Sequence, residues 1–288
     1  MKFHKLEKIN LIYIVGNGRS GSTLLTRILN NHDSLASLGE LQYFDIRREK
    51  NSENKLFKSI AKRYLKELKL NKRSLKNVNK IKVCRYPSLR EFLNFYNLSK
   101  PNNIKTSLDK LNFYKDNYLF FKSILKLTKK SFIVDCSKTV SRLYNLHESG
   151  LFNIKIIYLH RCSRAFINSG IKKGLNVFQS SFHWKIRNKR AQMFIKQTQL
   201  PYYELKYENL IRYPEKTLSK LFKNLLYMKF NRNIINFSEK EDVIGGNPDL
   251  KGKIFINKKQ NLENPISFFH VLVDRVINSK MNKSLGYK

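Results

Sequence analysis

Apolar residues fall into two patterns along this chain. Some gather in short, nearly unbroken runs, as in Leu11–Val15, Ser131–Asp135 (SFIVD) and Ile154–His160 (IKIIYLH). Runs of that length suit strands buried on both faces. Others recur at helical spacing, as in Leu24, Leu25, Ile28 and Leu29, then Leu143 and Leu146, then Leu218, Leu221, Phe222, Leu225 and Leu226. These spacings predict amphipathic helices. A strand is also expected over Tyr202–Tyr207. Further helices are expected from Thr139 to Gly150, over 163–172, over 178–198 around the sole tryptophan Trp184, from Pro214, and over 265–280. Strands alternating with helices predict an α/β fold with a mainly parallel central sheet. The stretch 47–130 differs. It is rich in Lys and Leu, is interrupted by Pro87 and Pro101, and reads as a basic helical insertion or cap on a single domain spanning 1–288.

The first strand and first helix are joined by Gly16-Asn17-Gly18-Arg19-Ser20-Gly21-Ser22-Thr23. Strand, glycine turn and helix form a phosphate cradle: the glycines let an anion approach the backbone, and amides at the positive helix end point at it. Against the nucleotide-binding pattern G-x-x-x-x-G-K-[ST], Gly16, Gly21 and Thr23 fit, but Ser22 stands at the lysine position. That substitution argues against a kinase or ATPase. A cation, Arg19, sits inside the turn instead. A second constellation follows the strand that ends at His160, with Arg161 at its edge and Ser169 on the next helix. A guanidinium fork and a hydroxyl at the carboxyl end of a buried strand suit a phosphate. A third is Tyr207-Glu208-Asn209-Leu210, followed by Pro214 and its leucine-rich helix.

Composition changes the picture in two ways. Lys+Arg of 57 against Asp+Glu of 21 gives a formal net charge of +36 over 288 residues. Such charge favours anionic ligands: a nucleotide, an acidic glycan, nucleic acid or a membrane surface. It also accompanies an abundance of Lys, Asn, Ile, Phe and Tyr, the residues of A/T-rich codons. Cys84, Cys136 and Cys162 show no metal-ligand spacing and suit a reducing compartment. No run reaches membrane-spanning length and the polar start leaves no room for a signal peptide, so a cytoplasmic location is expected.

Arg19-Ser20-Gly21-Ser22-Thr23 resembles the 5′-phosphosulfate loop of the sulfotransferases that use 3′-phosphoadenosine-5′-phosphosulfate (PAPS), where Lys or Arg precedes S-G-[ST]-T. Arg161 and Ser169 resemble that family's 3′-phosphate site, although Cys162-Ser163 replace its common Asp-Pro. Tyr207-Glu208-Asn209-Leu210 with Pro214 is similar to the Y-E-x-L-x-x-x-P segment of the tyrosylprotein and bacterial carbohydrate-type members. Gly246-Asn247-Pro248 and Leu285-Gly286-Tyr287 also resemble the bacterial group. The resemblance implies a three-layer P-loop-like fold with a helical cap. It implies PAPS as donor, adenosine 3′,5′-bisphosphate as product, no metal, and a hydroxyl acceptor, a glycan or glycolipid. By it, Gly18, Arg19, Ser20, Gly21, Ser22 and Thr23 bind the phosphosulfate, with Arg19 at the bridging oxygen. Arg161 and Ser169 hold the 3′-phosphate, with Tyr207 near them. Glu40 corresponds to the catalytic base and Lys138 to a lysine that contacts the transferred group. If Glu40 is not the base, Glu91 in the cap is the next candidate. Two rival readings stand beside this one. In an NTP-dependent kinase, Asp135 would hold Mg²⁺. In a basic nucleic-acid-binding protein, the net charge would do the work.

Overall fold

The computed structural model describes residues 6–71, 107–172, 174–236, 243–244 and 267–287. Cys84, Pro87, Glu91, Pro101 and Gly246-Asn247-Pro248 lie outside the described residues. The elements run β1 (Ile9–Gly16), α1 (Ser22–Asn30), β2 (Leu35–Ser37), α2 (Ile46–Glu49), α3 (Lys55–Leu70), α4 (Ser107–Thr128), β3 (Phe132–Lys138), α5 (Val140–Glu148) and β4 (Phe152–His160). They continue with α6 (Ser163–Ile171), α7 (Val177–Thr198), β5 (Tyr202–Lys206), α8 (Tyr207–Arg212), α9 (Pro214–Leu221) and α10 (Phe268–Ser284). The strands form one five-stranded sheet in the order β2-β3-β1-β4-β5, every pairing parallel. This is the expected α/β architecture with a parallel central sheet between two helical layers.

Strand β1 shows why the layers form. Leu11, Tyr13 and Val15 point into a core shared with α3, α4, α5, α6, α7 and α10. Ile12 and Ile14 point into the opposite core, against α1, α8 and α9. A strand alternates its side chains between faces, so an unbroken apolar run needs a cover on both. Each fully buried Leu or Ile of this kind contributes about 1.5–3 kcal/mol. The short strand Leu35–Ser37 carries no run long enough to announce itself; it is a strand because it pairs with Phe132–Val134 of β3. The lysine-rich helices α3 and α4 send Phe57, Ile60, Tyr64, Phe121 and Ile124 into the first core and leave their lysines outside.

The topology sets where a ligand can sit. β1 sends α1 to one face, while its neighbours β3 and β4 send α5 and α6 to the other. A crevice opens where adjacent strands diverge in this way, at the carboxyl end of β1.

Gly16 closes that strand opposite Leu159 of β4. Its φ is +148°, and a Cβ there would lie 2.0 Å from the Leu159 carbonyl oxygen. Gly16→Ala should therefore destabilise the protein by about 2 kcal/mol or more in chemical denaturation. A variant as stable as the wild type would contradict this packing of β1 against β4.

Candidate functional site

The loop from Gly16 to Gly21 wraps the mouth of the crevice and delivers the chain into α1. Gly21 caps that helix with φ +86° and, lacking a side chain, gives its first turn no capping hydrogen bond. Its Cβ would fall 2.3 Å from the ring of Tyr207, so the tyrosine ring packs directly against the loop. A Cβ on Gly18, in contrast, would meet nothing within 4 Å. Space therefore stays open over the loop. Ser20 Oγ and Asn17 Oδ1 are buried here without a hydrogen-bond partner, while Ser22 and Thr23 are buried at the helix start. Amides, hydroxyls and an open cradle fit a phosphate group.

Arg19 holds a left-handed backbone, φ 60°, which turns its side chain out of the loop. The guanidinium crosses to α6, where Nη1 meets the carbonyl oxygen of Ser169 at 2.5 Å and its Oγ at 3.2 Å. Arg161, one residue beyond β4, donates Nη1 to the Arg19 carbonyl oxygen at 3.2 Å. Its guanidinium stands 4.6 Å from the centre of the Tyr207 ring, a cation–π contact. Burial raises the Tyr207 hydroxyl pKa and Arg161 partly offsets it. Arg161 Nε is buried without a hydrogen-bond partner. Arg19, Arg161, Ser169 and Tyr207 thus meet although they come from three separate parts of the chain.

Glu40 follows β2 and reaches the same mouth from the other side. Gly39 and Glu40 run between β3 and Ile244, through Cys136 N to Gly39 O at 3.0 Å and Glu40 N to Ile244 O at 2.7 Å. The Glu40 carboxylate, 9% exposed as a residue, meets Lys138 Nζ at 2.5 Å. The same ammonium lies 3.3 Å from Ser22 Oγ, at the first turn of α1. Lys138 reaches both because the β1–β3 register shifts between Tyr13 and Val15 and its own φ is +67°. Such irregularities re-aim a side chain at the end of a strand.

Asp135 does not face the cradle. One carboxylate oxygen accepts from Arg142 Nε at 2.9 Å, and the other accepts from the Ser137 amide at 2.9 Å and from the Ser137 hydroxyl. The residue is fully buried in these contacts. They brace the turn that carries Lys138 and leave neither oxygen directed at a phosphate-bound ion.

Beside Glu40, a cleft of about 740 Å³ is lined by Arg47, Arg48, Glu49, Asn54, Phe57 and Ile244, among others. Ile244 is bridged to Gly39, which ties this cleft to the carboxylate.

Residues 12–226 match the profile of the sulfotransferase family. The chain belongs to that family. No curated protein matches this sulfotransferase in sequence. Its structure is similar to the sulfotransferase domain from the curacin biosynthetic pathway, with a TM-score of 0.58 and 18% identity, covering 98% of this chain and 99% of that one. It is also similar to the sulfotransferase domain from the Synechococcus PCC 7002 olefin synthase, with a TM-score of 0.56 and 19% identity, covering 94% and 96%. A sulfotransferase from Mycobacterium avium gives a TM-score of 0.51 at 9% identity over 98% of this chain and 78% of that one. At such identities the likeness speaks for the fold: the P-loop-like one expected from the loop.

Several residues of the sulfotransferase site carried no readable signal in sequence. Trp184 stood out only as the sole tryptophan; its indole nitrogen donates to the Arg161 carbonyl oxygen at 2.9 Å. His183 stacks on Phe166 with ring centroids 5.9 Å apart. Burial drives its pKa down to about 2, with Arg187 and Arg19 adding to the effect, so the ring is neutral at ordinary pH. Burial likewise pushes the Cys162 and Cys136 thiols up to about 12 and about 11, which keeps both protonated and poor nucleophiles.

The buried Glu40–Lys138 pair has a measurable signature. Lys138→Met should remove the counter-charge from a carboxylate with little access to water and destabilise the protein by about 3 kcal/mol. Adding Glu40→Gln should recover part of that loss in a double-mutant cycle read by denaturation. Strictly additive losses would mean that the pair is not coupled as its geometry requires.

Proposed function

We propose that this sulfotransferase moves a sulfuryl group from PAPS to a hydroxyl acceptor, with Glu40 as general base. One observation supports the reading: Lys138 joins Ser22 of the phosphate cradle to Glu40, so a carboxylate would stand beside the group a donor presents there. The donor supplies an activated sulfuryl group on a phosphate leaving group. The chain must then remove a proton from the acceptor and absorb charge on that phosphate. Glu40, paired with Lys138 beside the cradle, would perform the first task. Arg19, Lys138 and the amides of Gly18 to Thr23 address the second, the electrostatic contribution that usually dominates. To reach the bridging oxygen the Arg19 guanidinium has to exchange Ser169 for the donor. Arg161 and Ser169, with the Tyr207 ring beneath the guanidinium, would hold the 3′-phosphate.

The acceptor would enter by the cleft along Arg47, Arg48 and Phe57, which assigns the start of the 47–130 segment to the acceptor side. A glycan or glycolipid hydroxyl remains the acceptor that the resemblance implies. The kinase reading is disfavoured by Asp135, whose oxygens serve Arg142 and Ser137. A nucleic-acid-binding protein would need none of the cradle. No described helix is long and apolar enough to cross a membrane.

Donor recognition is tested by nucleotide preference. Adenosine 3′,5′-bisphosphate should raise the Tm well above AMP. Arg161→Ala should remove most of the difference, since it deletes a charge-assisted contact of about 1.5–3 kcal/mol. Equal stabilisation by the two nucleotides would count against Arg161 and Ser169.

The base is tested by kinetics with PAPS across a panel of carbohydrate hydroxyls. Glu40→Gln should lower kcat by about 10² to 10⁴-fold while leaving donor affinity nearly unchanged. Near-normal turnover in that variant would place the base elsewhere.

A further inference from the structure

The turn that presents Arg161 is tied to distant parts of the chain. Cys162 is the N-cap of α6, and its side chain makes no capping hydrogen bond. Order is supplied from elsewhere. Glu208, just beyond β5, accepts the Cys162 amide on Oε1 at 3.0 Å. Its other oxygen, Oε2, lies 3.0 Å from the hydroxyl of Tyr287, in the segment after α10. That hydroxyl is also 2.8 Å from Nδ1 of the fully buried His160, the last residue of β4. His160 Nε2 lies 2.9 Å from Glu204 of β5. The chain of contacts runs Glu204, His160, Tyr287, Glu208 and the Cys162 amide. It laces together the ends of two strands and the segment after the last helix.

A proton count shows how these contacts coexist. The Glu204 carboxyl is held below its usual range, chiefly by the hydrogen bond from His160, so Nε2 donates. Burial and Glu208 both oppose ionisation of Tyr287, so its hydroxyl keeps its proton and gives it to Glu208. Its oxygen also faces Nδ1 of His160 at 2.8 Å. The segment is held from outside as well. Lys206 donates to the Gly286 carbonyl oxygen at 2.9 Å and stands 4.8 Å from the Tyr287 ring centre, and Asn282 donates to Ser163 Oγ at 2.6 Å.

We propose that Tyr287 is a positioning residue for the anion-binding turn. Through Glu208 it fixes the Cys162 amide, and with it the direction in which Arg161 leaves the end of β4. The role rests on the reading of Arg161 as the ligand of the donor's 3′-phosphate. Tyr287's own described contacts run to His160, Glu208 and Lys206, on the Arg161 side of the mouth.

The test is calorimetric titration of adenosine 3′,5′-bisphosphate and of AMP into the full-length protein. The ratio of the two Kd values reads the 3′-phosphate site, and AMP alone reads the cradle. Tyr287→Phe keeps the ring and deletes the hydroxyl. It should lower the ratio about tenfold and leave the AMP affinity within about twofold. Glu208→Ala should lower the ratio similarly. Glu208→Gln should preserve it, since its carbonyl accepts from Cys162 while its amide donates to Tyr287. Should Tyr287→Phe fail to fold, the two Glu208 variants make the same comparison. A wild-type protein with no preference for the bisphosphate overturns the Arg161 reading, and this role with it. A preference that disappears in Arg161→Ala but persists in Tyr287→Phe overturns the positioning role alone, even if that variant melts at a lower temperature. Equal loss in Glu208→Gln and Glu208→Ala overturns the hydrogen-bond route.

Discussion

Burial of β1 on both faces is the constraint from which the site follows. A strand with helices above and below has one outlet for its chain, at its carboxyl end. There the backbone must turn within a few residues, because Leu159 of β4 leaves no room for a side chain at Gly16. The turn then feeds a helix whose first amides carry no side-chain cap. A concave row of donors at a positive helix end follows from packing alone, before any ligand is considered. The neighbours of β1 send their helices the opposite way, so what they carry at their own ends converges on the same mouth. Lys138 arrives from β3 and Arg161 from β4.

The cations at that mouth are held by the polypeptide rather than left in solvent. Arg19 lies on Ser169, Arg161 on Tyr207 and the Arg19 carbonyl oxygen, and Lys138 on Glu40 and Ser22. A site that concentrates positive charge is costly unless dipoles and counter-charges share it. These partners limit the repulsion and fix each cation's direction. The net charge of +36 plays a different part. Among the described residues, lysines such as Lys58, Lys62, Lys66 and Lys69 lie exposed on α3, where such charge raises the local concentration of anions without selecting one. Selection has to come from the few cations whose geometry is set.

Left-handed backbone marks two of the cations at that mouth. Arg19 and Lys138 are among the few non-glycine residues with positive φ, at 60° and 67°. Such conformations persist where the surrounding structure over-determines them. For Arg19 the surroundings are the glycine loop and α6. For Lys138 they are the register shift in the sheet and the brace of Asp135, Arg142 and Ser137. An acid that mimics a metal ligand in sequence thus serves as a structural anchor for a lysine.

The sequence by itself determined the alternation of strands and helices, the glycine loop and the presence of cations near strand ends. Those features are local: apolar periodicity, glycine spacing and a residue's place after a run are properties of contiguous residues. The strand Leu35–Ser37 and the helix Tyr207–Arg212 were not legible, because one exists by pairing with β3 and the other by packing Leu210 and Ile211 under the sheet. Loop, Arg161 and Glu40 could be named as candidates from their motifs. Only the tertiary structure decided that Lys138 joins Ser22 to Glu40, that the Tyr207 ring packs against Gly21, and that Glu208 reaches the amide of Cys162. Each joins residues from separate elements, brought together by the order in which the strands are laid in the sheet. Spacing along a chain carries no record of that order, which is set when the two faces of β1 are buried.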